Sequence, residues 1–306
     1  MSYAERLSAA HVSGVTSRQP ISSSAHGVST TAYRVAAYRA QHQLFDEPQV
    51  FVDPLAVTIF DEREVTALTK PEGHDDVGAR ARRAFFAARA RCAEDALQGA
   101  FARGIRQYVI LGAGFDTFAY RNPHPGLRVF EVDRPATQHA KRGRLRDRGV
   151  VEPASVQFVP LDFERESLSL ALSTAGCDPR LPTYFSWLGV TPYLEAATTL
   201  ACLQEIAAYP PGSGVTFDYA LDRRLMPPRE RASFDDLAAR VAAAGEPFLG
   251  SFAPEEIQAR LSALHFGRID DLGREALNER FFEGRQDGLR VLGMAHVLTA
   301  WVEGEP

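Results

Sequence analysis

Residues 107–117 read Gln107-Tyr-Val-Ile-Leu-Gly-Ala-Gly-Phe-Asp-Thr117, and how this stretch folds decides the architecture. Tyr108 to Leu111 form a short apolar run that stops at a glycine, the pattern of a strand buried on both faces of a parallel sheet. Gly112 and Gly114 permit a tight turn and a close backbone approach to a ligand. They stand where such a strand ends, which is where open α/β sheets place their ligands. Similar apolar runs follow at Arg128 to Val132, Val156 to Val159, Thr183 to Leu188 and Val215 to Tyr219. Helical patterns separate several of them. Asp133 and Pro135 read as the cap and first turn of a helix running to about Arg148, and Glu195 to Ala208 is another, ended by Pro210-Pro211-Gly212. Strand–helix alternation of this kind predicts a doubly wound, mostly parallel, Rossmann-like α/β sheet with helices on both faces.

Working outward, residues 1–31 are rich in Ser, Thr, Ala and Gly and read as a flexible arm. Residues 32–104 read as a helical cap or extension: a helix from Ala32 to Gln43, a short one opened by Pro54, and a long one from Ala79 to Ala102. In the last, Phe85, Phe86, Ala93, Leu97 and Phe101 recur at helical spacing. The core then spans 105–306, with a cap-like insertion at about 221–252. The tail adds a helix from Pro254 to Leu264, a strand near Phe266 to Ile269 and an apolar segment from Val291 to Val302.

Composition narrows the function classes. The net charge is −5 with no long basic run, which speaks against nucleic-acid binding, because that affinity rests on clustered Lys and Arg. No apolar run approaches the ~20 residues that span a bilayer, and the N-terminus lacks the apolar stretch of a signal peptide, so a cytoplasmic protein with no membrane partner is expected. Cys92, Cys177 and Cys202 lie far apart and form neither a CxxC pair nor a metal-ligand spacing, as suits a reducing compartment. His74-Asp75-Asp76 is too short and isolated to read as a metal site. His26, His265 and His296 are imaginable bases, but no motif singles one out, and the catalytic base stays unassigned.

The loop itself carries chemistry. A full dinucleotide fingerprint would put a third glycine at 117, where Thr117 stands. Asp116, set into the loop with Ala113 between the two glycines, repels a pyrophosphate and suits a ligand bearing an ammonium group, such as the methionine part of S-adenosylmethionine. Glu131 and Asp133 end the second strand near the spacing at which a carboxylate meets ribose hydroxyls; Asp133 reads equally as a helix cap. Asp162 follows the third strand, placed to accept from an adenine amino group while Phe163 covers the ring. Singly, each acid reads as a loop or cap residue. Three acids after three successive strands, in register with a Gly-rich turn, are far more specific.

The segments Arg106-Gln-Tyr-Val-Ile-Leu-Gly-Ala-Gly-Phe-Asp-Thr-Phe-Ala-Tyr-Arg121 and Val129-Phe-Glu-Val-Asp-Arg-Pro135 resemble the leucine carboxyl methyltransferase-like group, which includes bacterial O-methyltransferases of polyketide and other secondary metabolism. The resemblance covers about Thr30 to Trp301 and is densest from Ala88 to Asp133. It implies a seven-stranded class I methyltransferase fold with an N-terminal helical cap, S-adenosyl-L-methionine as cofactor, and a small-molecule carboxylate or hydroxyl as methyl acceptor. Carried over by residue, it implies Gly112 and Gly114 as the cofactor turn, Asp133 with Glu131 beside it at the ribose, and Asp162 and Phe163 at the adenine. It also implies Arg89 at the methionine carboxylate, a task for which a guanidinium offers two donors at once. Arg80, Arg82, Arg83 and Arg91 of the same helix read mostly as solvated. Tyr193 falls at the ligand-binding edge of the sheet, as an acceptor contact or as core packing.

The sequence departs from that group at Leu188, where many relatives carry an acid; Tyr193-Leu194 beyond it matches. That departure keeps a catalytically inactive cofactor-binding or interaction protein as an alternative. A nicotinamide-dependent oxidoreductase is the other rival, disfavoured by Thr117 and by the absence of a Tyr-x-x-x-Lys pair.

Overall fold

The computed structural model describes residues 29–70 and 76–304. The arm read over residues 1–31, apart from Ser29 to Thr31, lies outside the described residues, as do His26, His74 and Asp75.

The chain opens with α1 (Thr30–Phe45), α2 (Glu62–Leu68) and α3 (Val77–Ala102). Each start is set by a side chain that takes up an otherwise orphaned helix N–H. Ser29 accepts from Ala32 N, Asp61 forms a capping box with Glu64, and Asp76 accepts from Ala79 N. The short helix expected at Pro54 is instead a run of turns, because the cap that starts α2 is Asp61. The sheet and its connections follow: β1 (Gln107–Leu111), α4 (Phe118–Arg121), β2 (Arg128–Asp133), α5 (Pro135–Asp147), β3 (Val156–Pro160), α6 (Leu168–Thr174) and β4 (Thr183–Trp187). Then come α7 (Ala196–Ala207), β5 (Gly214–Ala220), α8 (Pro228–Ala243), α9 (Pro254–Ala263), β6 (Phe266–Leu272), α10 (Arg274–Phe282) and β7 (Ala295–Val302).

The seven strands stand in the order β3-β2-β1-β4-β5-β7-β6. β1 to β5 pair in parallel, and β7 runs antiparallel to both of its neighbours. This is the Rossmann-like methyltransferase sheet expected. β1, β4 and β5 are buried along their whole length, which is why their sequences run apolar instead of alternating. One face of the sheet packs Phe130, Phe185 and Phe217 against Leu172 of α6, Leu203 of α7 and Ile257 of α9. The other packs Tyr108, Ile110 and Val129 against Leu97 and Ala100 of α3. α1 joins Phe115 and Leu145 in a separate cluster and so lies over the loop that follows β1.

The chain therefore leaves β1 with β2 on one side and β4 on the other, and the connections depart to opposite faces. That divergence opens a crevice at the carboxyl ends of the strands.

Candidate functional site

A cavity of about 330 Å³ fills this crevice. Of the residues singled out in the sequence, Arg89, Gly112, Ala113, Gly114, Asp116, Asp133, Asp162, Phe163 and Tyr193 all line it, and Leu188 does too. Glu131 does not.

The turn is built by its glycines. Gly112 and Gly114 have φ of +62° and +50°, the left-handed region that side chains other than glycine's disfavour. A Cβ on Gly112 would stand 2.2 Å from Cγ2 of Val190, and one on Gly114 3.3 Å from Cβ of Ala32. Ala113 N donates to Val132 O at 3.0 Å, pinning the turn to the end of β2.

Asp133 is tied to the same turn. Its Oδ2 accepts from Gly114 N at 2.6 Å and its Oδ1 from Arg134 N at 2.7 Å. It is not the helix cap: α5 is capped at Arg134, with Pro135 in its first turn. Burial raises the Asp133 carboxyl above its ordinary value, against the pull of those two N–H groups. Asp162, at the end of β3, accepts from Glu164 N at 3.1 Å, and Phe163 packs 6.0 Å from Trp187.

Two of the expected acids are otherwise engaged. Asp116 Oδ1 accepts from Phe118 N and its Oδ2 from Arg39 Nη1, each at 2.7 Å. Burial pushes its carboxyl up, but Arg39, then Arg121 and Lys141, outweigh that and hold it below the ordinary range. The carboxylate expected to meet a ligand ammonium is thus already neutralised by a guanidinium. Glu131 is fully buried, its Oε2 accepting from Lys141 Nζ at 2.6 Å while Oε1 has no hydrogen-bond partner among the described residues. Burial, only partly countered by Lys141, pushes Glu131 up to about 7. Its place beside the ribose contact is therefore not supported: the side chain is spent on a buried ion pair.

Arg89 is 5% exposed. Its Nη1 donates to Asp218 Oδ2 at 2.8 Å, and its guanidinium lies 4.5 Å from the centre of the Phe86 ring. Asp218 Oδ1 accepts from Gly189 N at 2.6 Å, so one carboxylate fixes both the arginine and the loop after β4. The remaining arginines of α3 are less solvated than the sequence suggests. Arg83 is buried and paired with Asp46 at 2.9 Å, and Arg82 Nε donates to the Tyr38 hydroxyl at 2.7 Å. Only Arg91 of the four fits the exposed reading. α3 is covered by α1 along one side, and a 3.6-residue period cannot report that second contact.

Tyr193 sits in a 3-10 turn (Thr191–Tyr193) after β4, its ring 5.2 Å from that of Phe248. Burial pushes its hydroxyl up to about 12. Arg39, Asp218 and Glu246 went unread in the sequence. Arg39 holds Asp53 and Asp116 at once, both at 2.7 Å, and so fastens α1 to the glycine turn. Asp218 had a legible signal, an acid inside the apolar run Val215 to Tyr219. Arg39 and Glu246 had none. His296 is paired with Asp271 at 2.9 Å and lies off the cavity, as does His265.

Among the described residues no cluster of His, Cys, Asp or Glu could hold a metal ion. None of the helices described is long and apolar enough to cross a membrane.

Residues 32–207 match the family model of leucine carboxyl methyltransferase. YktD of Bacillus subtilis (strain 168), provisionally named an S-adenosyl-L-methionine-dependent methyltransferase, is 30% identical across 89% of this chain and 97% of its own. A relative from Mycobacterium ulcerans (strain Agy99), provisionally named in the same way, is 32% identical across 71% of this chain and 73% of its own. A crystal structure of a provisionally named methyltransferase from Thermobifida fusca YX superposes with a TM-score of 0.56 at 14% identity, covering 88% of this chain and 94% of that one; it shows a shared fold.

Proposed function

The chain belongs to the leucine carboxyl methyltransferase family and is an S-adenosylmethionine-dependent methyltransferase. From that premise we propose that it methylates an oxygen, of a carboxylate or a hydroxyl, on a small molecule of secondary metabolism, in the cytoplasm. The observation that carries the site assignment is the chemistry of the donor set. A guanidinium on Arg89, a glycine turn, and the carboxylates of Asp133 and Asp162 line one cavity, and they answer in turn to the carboxylate, ribose and adenine of the cofactor. Gly112 and Gly114 form the positive-φ turn that lines the cavity, and a side chain at either would collide with Val190 or crowd Ala32.

In this reading Arg89 pairs with the methionine carboxylate, held in position by Asp218. Asp133 accepts a backbone N–H on each oxygen, which leaves acceptor capacity on the carboxylate for the ribose hydroxyls. Asp162 accepts from the adenine amino group under the cover of Phe163, and Tyr193 lies toward the acceptor. The bound cofactor supplies a methyl group on a sulfonium for in-line displacement, so what the chain contributes is largely binding and orientation. Residues 32–104 act as the cap and 221–252 as the insertion that shapes the acceptor end, on a core of 105–306.

Isothermal titration with S-adenosylmethionine and S-adenosylhomocysteine tests the assignment. One saturable site per chain is expected. A folded protein that binds neither would overturn it, and binding without turnover on any oxygen acceptor would leave a cofactor-binding protein.

A further inference from the structure

The cavity is lined by more than the groups assigned to the cofactor. Where the start of α1 meets the loop after α8, Thr31, Val35, Tyr193, Glu246 and Leu249 also line it. Glu246 is held there by one oxygen only. Its Oε2 accepts from Thr31 N at 2.9 Å and from the Thr31 hydroxyl. That N–H lies in the first turn of α1, where no intrahelical acceptor exists. Oε1 of Glu246 takes no hydrogen bond among the described residues.

Among the described residues no Lys, Arg or His side chain makes a salt bridge or hydrogen bond to this carboxylate. The arginines that line the cavity are Arg39, Arg89 and Arg134. Arg39 is committed to Asp53 and Asp116, and Arg89 to Asp218. Arg134 stands at the start of α5 beside Asp133. The acceptor end is therefore polar through hydroxyls and one fixed negative charge. A carboxylate acceptor would be brought against a like charge, an arrangement that disfavours binding when it is not neutralised. A neutral hydroxyl would instead donate a hydrogen bond to Oε1.

We propose that Glu246 is the general base of the reaction and that the acceptor presents a neutral hydroxyl, phenolic or alcoholic, in place of a carboxylate. The proposal rests on the methyltransferase reading above and narrows it. As the acceptor oxygen forms its bond to the methyl carbon, its proton passes to Oε1 of Glu246. The carbon–sulfur bond breaks with its electron pair left on sulfur. Sulfonium and carboxylate are neutralised together, leaving an ether, a thioether and a carboxylic acid that later loses its proton to water. A carboxylate is base enough, because the oxygen becomes strongly acidic once it carries the extra carbon. Thr31 is the positioning residue that fixes Glu246.

The test uses the full chain saturated with S-adenosylhomocysteine and titrated with matched probes: phenol and benzoate, naphthol and naphthoate, decanol and decanoate. At least one hydroxyl probe should bind about tenfold or more tightly than its carboxylate partner. In Glu246→Gln that preference should shrink toward parity while the affinity for S-adenosylhomocysteine is kept, which also shows that the variant folds. Any hydroxyl probe that turns over should do so about 100-fold or more slowly in the variant. A panel in which no hydroxyl outbinds its carboxylate, whether both bind or neither does, overturns the proposal. So does a preference untouched by Glu246→Gln, or a variant that has lost S-adenosylhomocysteine. A wild-type protein that does not bind S-adenosylhomocysteine at all would instead remove the site assignment beneath it.

Discussion

Replacing Asp218 by asparagine keeps the shape of the side chain and removes its charge, and so asks what the buried pair behind the cavity contributes. Arg89 and Asp218 are 5% and 2% exposed, so little of the arginine can turn to solvent when its partner is removed. The asparagine carbonyl can accept from Gly189 N or from Arg89, and its NH₂ faces the other donor without an acceptor. Removing one partner of a buried pair costs about 3–5 kcal/mol. The ring of Phe86, 4.5 Å from the guanidinium, and the adjoining cavity argue for the lower end, about 3 kcal/mol. With an unfolding entropy of about 2 cal/mol/K per residue, a chain of 306 residues loses about 5 °C in Tm for that cost. Differential scanning fluorimetry reads it directly. A second arm tests the ligand: a cofactor carboxylate would supply the counter-charge the variant lacks. The Tm rise caused by saturating S-adenosylhomocysteine should then be larger in Asp218→Asn than in the wild type. An unchanged Tm would mean that the pair is energetically idle. A ligand-induced rise no larger than the wild type's would mean that Arg89 does not face the cofactor carboxylate.

Asp133→Ala should weaken cofactor binding by about 1–3 kcal/mol in calorimetry, the cost of leaving hydroxyl partners unpaired; unchanged affinity in a folded variant would refute the ribose contact. Arg89→Ala should be comparably harmful to binding, whereas Arg82→Ala, which loses a bond to Tyr38, should leave the cofactor affinity near the wild type's. Gly112→Ala should destabilise the fold by at least about 1–2 kcal/mol through its left-handed backbone alone, with Val190 displaced besides. The added substitution Val190→Ala should restore part of that loss in urea unfolding, and no recovery would count against the steric account. Glu131, raised from 4.5 to about 7 chiefly by burial, binds its proton more tightly folded than unfolded. Its contribution to stability is therefore greatest below about pH 4.5 and falls as pH rises to about 7, by up to about 3 kcal/mol. Urea unfolding at about pH 5 and pH 7.5 should show Glu131→Gln/Lys141→Met gaining on the wild type across that window. A constant difference would refute it.

The apolar runs and glycine stops were enough to read the doubly wound sheet, because a strand buried on both faces leaves an uninterrupted signature of its own. The turn at Gly112 and Gly114 and the acid closing β2 were legible for the same kind of reason: backbone conformation and strand ends are local properties. Arg89, the cofactor and the seven strands came from resemblance to a family, and the family match bears out the cofactor. What each carboxylate does could not be read from its position. Asp116 and Glu131 sit in the same motif as Asp133, yet Arg39 neutralises one and Lys141 the other, and these partners lie 77 and 10 residues away. Charge pairing acts through space, so which acid meets a ligand and which is consumed inside the protein is decided only when distant segments are folded together. The same holds for Glu246, an unremarked residue after α8 in sequence, which reaches the cavity because Thr31, 215 residues earlier, is packed against it.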